Sequence, residues 1–212
     1  MHILTSKLYF PPVHTADRHG LLAIGADLSP ERLMLAYRSG IFPWFNQEEP
    51  VLWWAPPRRM VVFPDEFKAS KSMRNILNRK VFNVTFNQDF KSVITNCRSV
   101  ERPGQDDTWI TPRMVDAYVK LHELGVAKSV EVWQDDQLVG GLYGIDLGCV
   151  FCGESMFSKV SNASKVAFVS LVAHLKEHNY RLLDCQLHNP HLESLGAREI
   201  SREEYMAILV NA

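Results

Sequence analysis

Phe151-Cys-Gly-Glu-Ser-Met-Phe-Ser158 sets one carboxylate, Glu154, inside a run that otherwise reads as a buried strand. Removing water from an unpaired carboxylate costs several kcal/mol or raises its pKa, so an acid in such a run is paired, hydrogen-bonded or used. With apolar side chains around it and Gly153 allowing close backbone approach, the segment reads as the wall of a pocket. A second polar pair, Asp184 and Gln186, alternates with Cys185 in a short strand pattern, so both side chains are expected on one face. Such a pair either handles a polar group of a substrate or satisfies the edge of a sheet.

Other reactive side chains form weaker patterns. Cys149-Val-Phe-Cys152 matches a C-x-x-C spacing, but residues three apart on a strand point to opposite faces and do not readily share a metal. His188 and His191 stand in a proline-containing loop without a clear third ligand. The chain is too long to need disulfide staples, so the four cysteines read as buried thiols. From 67 to 80 the chain carries Lys68, Lys71, Arg74, Arg79 and Lys80 with no acid; helical spacing gathers Lys71, Arg74, Asn75 and Asn78 on one face. By itself this is a solvated helix face or a local anion-binding patch.

These residues need elements to position them. Ser29 as N-cap, Pro30 in the first turn and Gly40 as the stop define a helix in the first part of the chain. Aromatic, proline-interrupted segments follow at 41–45 and 51–59, which suggests a compact lobe ending near Pro56-Pro57. The pattern then predicts strands at 60–63 and 82–86, with helices at 70–79, 88–96 and 112–124. Three strands at 127–134, 137–145 and 149–157 are joined by the turns Asp135-Asp136 and Asp146-Leu-Gly148. A helix at 162–178, a strand at 181–186 and a helix at 202–210 complete the chain. A meander followed by a helix and a strand fits an α+β chain with a mixed α/β core of the N-acetyltransferase-like kind.

Composition excludes several classes. A chain of 212 residues with formal net charge −1 does not coat nucleic acid through its overall field. No run approaches a membrane span, and the first residues lack the layout of a secretion signal, so a cytoplasmic location is expected.

Several motifs in fixed order go further: Gly20-Leu-Leu-Ala-Ile-Gly25, Asp27-Leu-Ser-Pro30, Gly40-Ile-Phe-Pro-Trp-Phe45, Leu52-Trp-Trp54, Thr108-Trp-Ile110, Val139-Gly-Gly-Leu-Tyr-Gly144, Cys152-Gly-Glu-Ser-Met-Phe-Ser158, Asn162-Ala-Ser-Lys165, Asp184-Cys-Gln186 and Ser194-Leu-Gly-Ala197. Over almost its whole length the chain closely resembles the leucyl/phenylalanyl-tRNA–protein transferases. That resemblance implies a small N-terminal lobe at 1–57, contributing to the aminoacyl-tRNA site, and an N-acetyltransferase-like catalytic domain at 58–212. It implies an aminoacyltransferase that moves Leu or Phe, less readily Met, from aminoacyl-tRNA to proteins with N-terminal Arg or Lys. The product is marked for degradation by the N-end rule pathway. The chain stops at Ala212, earlier than longer members, so nothing that depends on their tail is carried over.

The resemblance also assigns residues. Gln186 would accept a hydrogen bond from the attacking amine, with Asp184 orienting it; an amide is a poor proton acceptor, so Gln186 reads as an aligning group. Trp44 and Trp109 would hold the terminal adenosine by stacking, although a tryptophan beside proline, taken singly, is more often core. Tyr118 would place a hydroxyl near the same end. Glu154 would hold a ribose hydroxyl or the substrate ammonium, or else serve as a structural carboxylate. Leu142, Phe151, Met156, Phe168, Leu171 and Leu183 would wall an aminoacyl side-chain pocket. Lys71, Arg74 and Arg79 would grip the tRNA backbone, although Asn75 and Asn78 make this patch thinner than in more basic members. The chemistry calls for no metal, nucleotide or prosthetic group. An acetyl-CoA-dependent N-acetyltransferase is the rival enzyme, but Lys159-Val-Ser-Asn-Ala-Ser-Lys165 lacks the glycines of a pyrophosphate loop. A non-catalytic RNA-binding module is the rival of another class.

Overall fold

The computed structural model describes residues 1–100 and 108–210. The position 212 at which the second expected domain ends lies outside the described residues. In the first part, β1 (His2–Leu4), β2 (Leu21–Gly25), β3 (Phe42–Pro43) and β4 (Leu52–Trp54) form a four-stranded sheet in the order β1-β2-β4-β3. Helix α1 (Pro30–Arg38) joins β2 to β3, and its N-cap Ser29 accepts a hydrogen bond from the backbone N–H of Arg32. This satisfies one of the donors that a helix start leaves open.

The rest builds a seven-stranded sheet from β5 (Arg58–Val62), β6 (Asn83–Phe86), β7 (Ala127–Gln134), β8 (Gln137–Asp146), β9 (Val150–Ser158), β10 (Leu182–Gln186) and β11 (Arg198–Ser201). Their spatial order is β11-β5-β10-β9-β8-β7-β6. Five further helices are α2 (Lys71–Asn78), α3 (Phe90–Arg98), α4 (Pro112–Glu123), α5 (Ala163–Glu177) and α6 (Pro190–Ser194), and α7 (Arg202–Val210) closes the described chain. Strands β7 to β9 form the expected antiparallel meander, β6 pairs antiparallel with the far edge of β7, and α5 carries the chain over to β10, which runs parallel to β9. The short strands β1, β2 and β11 and the one-turn α6 carry too few residues for a clear period, and sequence patterning missed them.

Alternation along the strands sorts the core into two sides. Val61, Tyr143, Ile145, Cys152 and Leu182 pack with Val93 and Ile94 of α3 and Met114 and Tyr118 of α4, and this cluster continues into Leu22, Leu33, Tyr37 and Trp53 of the N-terminal part. Met60, Val62, Leu142, Phe151 and Leu183 pack with Phe168, Leu171 and Val172 of α5. The sheet is therefore covered on both faces, with α3 and α4 on one and α5 on the other. Among the described residues no helix is long and apolar enough to cross a membrane.

Candidate active site

The parallel pairing of β9 and β10 runs only from Val150/Leu182 to Cys152/Asp184. Beyond it, residues 154–156, 185–189, 191 and 192 line an opening of about 380 Å³ whose walls include Phe42, Trp44, Trp109, Glu154, Gln186 and His188. An apolar recess of about 80 Å³ adjoins it, lined among others by Leu142, Gly153, Phe168, Leu171 and Leu183. Glu154, Ser155, Met156, Cys185, Gln186 and Leu192 line both.

Two irregularities in the strands aim the polar groups at this junction. The β8/β9 register slips between Tyr143/Ser155 and Gly144/Gly153, which leaves Glu154 as an extra residue in β9. A bulge of this kind re-aims a side chain without ending the sheet. The carboxylate of Glu154 accepts hydrogen bonds from the Tyr118 hydroxyl at 3.1 Å and from Nε2 of Gln186 at 3.2 Å. The Tyr118 hydroxyl is also hydrogen-bonded to that of Tyr37, and both rings are buried. Burial pushes the pKa of Glu154 up to about 7, although the tyrosine hydroxyls oppose the shift. Burial and then the charge of Glu154 raise both tyrosines well above their ordinary range, so they act as protonated donors.

The second irregularity lies in β10, whose register against β5 slips between Asp184 and Gln186. Gln186 has a left-handed backbone with φ +58, and its N–H donates to Oδ1 of Asp184 at 2.9 Å. Such a backbone costs on the order of 1–2 kcal/mol for a residue with a Cβ, which this hydrogen bond helps to offset. Asp184 has no exposed surface. Arg59 grips it with Nε to Oδ1 at 2.9 Å and Nη2 to Oδ2 at 2.7 Å, and the Tyr205 hydroxyl donates to Oδ2 at 3.0 Å. Burial alone would lower the pKa of Arg59, but the charge of Asp184 outweighs it and the guanidinium is held firmly protonated. Arg59 also donates to the carbonyl of Gly40 at 3.1 Å and lies against the rings of Phe42 and Tyr205.

The aromatic wall is more open. Trp44 is 37 % exposed and its ring lies 5.6 Å from that of Trp54, whose Nε1 donates to the Trp44 carbonyl. Trp109 borders the same opening just before Thr111, the N-cap of α4. Among the described residues no group of three or more His, Cys, Asp or Glu side chains could hold a metal ion, and none of the four cysteines forms a disulfide.

The leucyl/phenylalanyl-tRNA–protein transferase family model matches residues 61–210, and the model of that family's N-terminal domain matches residues 26–57. The chain belongs to this family of transferases. A leucyl/phenylalanyl-tRNA–protein transferase of Flavobacterium johnsoniae is 66 % identical over 99 % of each chain, and one of Syntrophobacter fumaroxidans is 54 % identical over 97 % of this chain and 88 % of its own. Among solved structures FemX aligns with a TM-score of 0.54 at 10 % identity, over 81 % of this chain and 66 % of its own, a likeness of fold alone. The fold is mixed α/β, with the seven-stranded sheet and its helices as its main body.

The expectations for Phe151 and Gly153 are corrected, and the place of Tyr118 becomes more definite. Tyr118 is fully buried, and its hydroxyl reaches the opening through the carboxylate of Glu154. Phe151 does not line the recess, because its ring lies over Gly144, where a Cβ would sit 2.4 Å from Cε1 of the ring. It borders a separate cavity of about 170 Å³ with His174 and Tyr180. Gly153 is not a point of close backbone approach, since a Cβ there would meet nothing nearer than Leu183 Cδ1 at 3.4 Å. Leu142, Met156, Phe168, Leu171 and Leu183 all line the recess. Lys71 and Arg74 are exposed on α2 and Arg79 caps its end, while Met73 turns inward. Sequence reasoning overlooked Arg59, Tyr37, Tyr205 and Leu192. An arginine opening a strand beside two prolines carries a weak signal, and the tyrosines read as ordinary core.

Proposed function

We propose that the chain moves leucine or phenylalanine, and methionine less readily, from aminoacyl-tRNA to the N-terminal arginine or lysine of proteins, in the cytoplasm, marking them for degradation by the N-end rule pathway. The observation that carries this reading is the meeting of an aromatic-walled opening with a small apolar recess at Glu154 and Gln186. An aminoacyl-adenosine has that shape: a base, a ribose, an ester and an apolar side chain. Trp44 and Trp109 offer rings for the adenine, and base–aromatic stacking is worth about 1–3 kcal/mol per base whatever the sequence. Leu142, Met156, Phe168, Leu171 and Leu183 receive the side chain, with flexible Met156 adapting to leucine or phenylalanine.

The chemistry asks for position more than for a strong base. An α-amino group has an ordinary pKa of about 7.7–8.0, so roughly a tenth or more is neutral near pH 7, a deficit on the order of 1 kcal/mol. Orientation can supply about 7–11 kcal/mol. Gln186 aligns the amine through its side-chain oxygen, and Asp184 holds the Gln186 backbone in the geometry that makes this possible. In this reading residues 1–57 act as a lobe that brings Trp44 to the site of the domain at 58–212. Lys71, Arg74 and Arg79 contact tRNA phosphates without reading sequence.

The test mixes purified protein, leucyl-tRNA carrying radiolabelled leucine, and peptides that begin with arginine, lysine or alanine. Label is expected in the first two peptides only. Binding of the tRNA with no label in any peptide rejects a transferase in favour of an RNA-binding module.

A further inference from the structure

We propose that the carboxylate of Glu154 takes the proton from the attacking amine and returns it to the leaving 3′-oxygen. The inference rests on the function proposed above and goes further by naming the proton carrier. If the adenosine occupies the larger opening and the aminoacyl side chain the recess, the ester between them lies at the junction. The junction is lined by Glu154, Ser155, Met156, Cys185, Gln186 and Leu192. Met156 and Leu192 carry no exchangeable proton, and an amide such as Gln186 is a poor proton acceptor. Burial pushes the Cys185 thiol up, which keeps it protonated. A serine hydroxyl needs a base of its own. Glu154 alone of the six offers a carboxylate.

Asp184 cannot take this part. It has no exposed surface, and Arg59, Tyr205 and the Gln186 N–H occupy its two oxygens. Glu154 is held differently: Tyr118 donates to Oε2 and Gln186 to Oε1, Tyr37 adds to the tyrosine side of the carboxylate, no guanidinium among the described residues clamps it, and the residue lines the junction. A carboxyl oxygen has lone pairs to spare after one hydrogen bond, so the amine can still be reached.

The titratable and charged groups facing Glu154 are Tyr37 from α1, Tyr118 from α4, Arg59 from β5, Asp184 from β10 and Cys152 from its own strand. Together they leave its pKa at about 7, near the value at which a group both accepts and donates protons efficiently at neutral pH.

The step balances without any co-reactant. The amine nitrogen bonds to the ester carbon, one N–H proton passes to Glu154, the bond from carbon to the 3′-oxygen breaks, and the proton on Glu154 passes to that oxygen. An amide and a free 3′-hydroxyl result.

Single-turnover transfer from leucyl-tRNA to an arginine peptide, measured from pH 5.5 to 9 on the full chain, tests this. Glu154→Gln is expected to lose about 10²–10⁴-fold in rate while tRNA binding, measured separately, changes less than about tenfold. Tyr118→Phe removes a donor to the carboxylate and is expected to move the limb of the profile near pH 7 to higher pH. The acceptor's own titration cannot move this way. A Glu154→Gln enzyme within a few-fold of wild type overturns the proposal. If that variant does not fold, an unmoved limb in Tyr118→Phe overturns it instead, and a limb moved upward supports it. Absence of transfer by the wild type would reject the transferase reading itself, a distinct outcome.

Discussion

Arg59 and Asp184 form a two-pronged ion pair with both side chains out of water, joining the first strand of the large sheet to the strand that ends in Gln186. Its bonds extend to the carbonyl of Gly40 on one side and the backbone N–H of Gln186 on the other. The Gly40 carbonyl of the N-terminal part is thereby tied to the strand end that bears Gln186. Tyr205 of α7 completes the clamp, so the last helix of the described chain also bears on the site.

Removing one partner should cost more than removing both. Arg59→Met leaves Asp184 buried without its countercharge and is expected to lose about 3–5 kcal/mol of stability. Arg59→Met combined with Asp184→Leu should lose less than the sum of the single changes. Urea unfolding of the four proteins gives the coupling directly, and strict additivity would show that the pair does not act as a unit.

Glu154 should make the fold less stable as pH rises. Its ordinary pKa of 4.5 is raised to about 7 in the folded chain. Between these values the folded chain holds a proton that the unfolded chain has released, so stability falls with rising pH and levels off above about 7. Allowing for the partly open cavity, the total is on the order of 2 kcal/mol. Glu154→Gln lacks this loss, so its stability relative to wild type should rise between pH 5 and pH 8. A relative stability that stays constant over this range contradicts the shift.

Gly153 lines the recess without a neighbour that a methyl group would displace. Gly153→Ala should therefore fold with stability within about 1 kcal/mol of wild type and narrow the recess. Transfer of phenylalanine should fall by more than transfer of leucine, by a factor of about 10, as suits one methyl group in an apolar pocket. Parallel kcat/KM measurements with the two aminoacyl-tRNAs check this.

The cationic side chains of the α2 region should act on affinity and leave the chemical step alone. Changing Lys71, Arg74 and Arg79 together to alanine should weaken tRNA binding and flatten its dependence on salt, by up to about 0.9 in the log–log slope per lost duplex-phosphate contact. The single-turnover rate at saturating tRNA should stay within a few-fold. Filter binding across a salt series separates the two effects.

Much of this was legible in the residues. The meander of β7 to β9, the helices α4 and α5 and the capped α1 followed from alternation, helical spacing and the Ser-Pro start of α1. The anomaly at Glu154 was visible as an acid in an apolar run. Its cause was not, because a bulge depends on how β8 and β9 slip against each other and leaves no local mark. Arg59 escaped for a related reason: its partner lies 125 residues away, and only the pairing of β5 with β10 brings them together. The resemblance set Phe151 on the recess wall, but its ring packs against the bare backbone of Gly144, a close contact across the β8/β9 pair that no local pattern records.

The most direct measurement is a crystal structure of the chain with a stable phenylalanyl-adenosine analogue. Adenine is expected against Trp44 and Trp109, the phenyl ring among Leu142, Met156, Phe168, Leu171 and Leu183, and the carbonyl carbon between Glu154 and Gln186. An analogue bound with its side chain outside that recess, or its carbonyl out of reach of both residues, would contradict this placement.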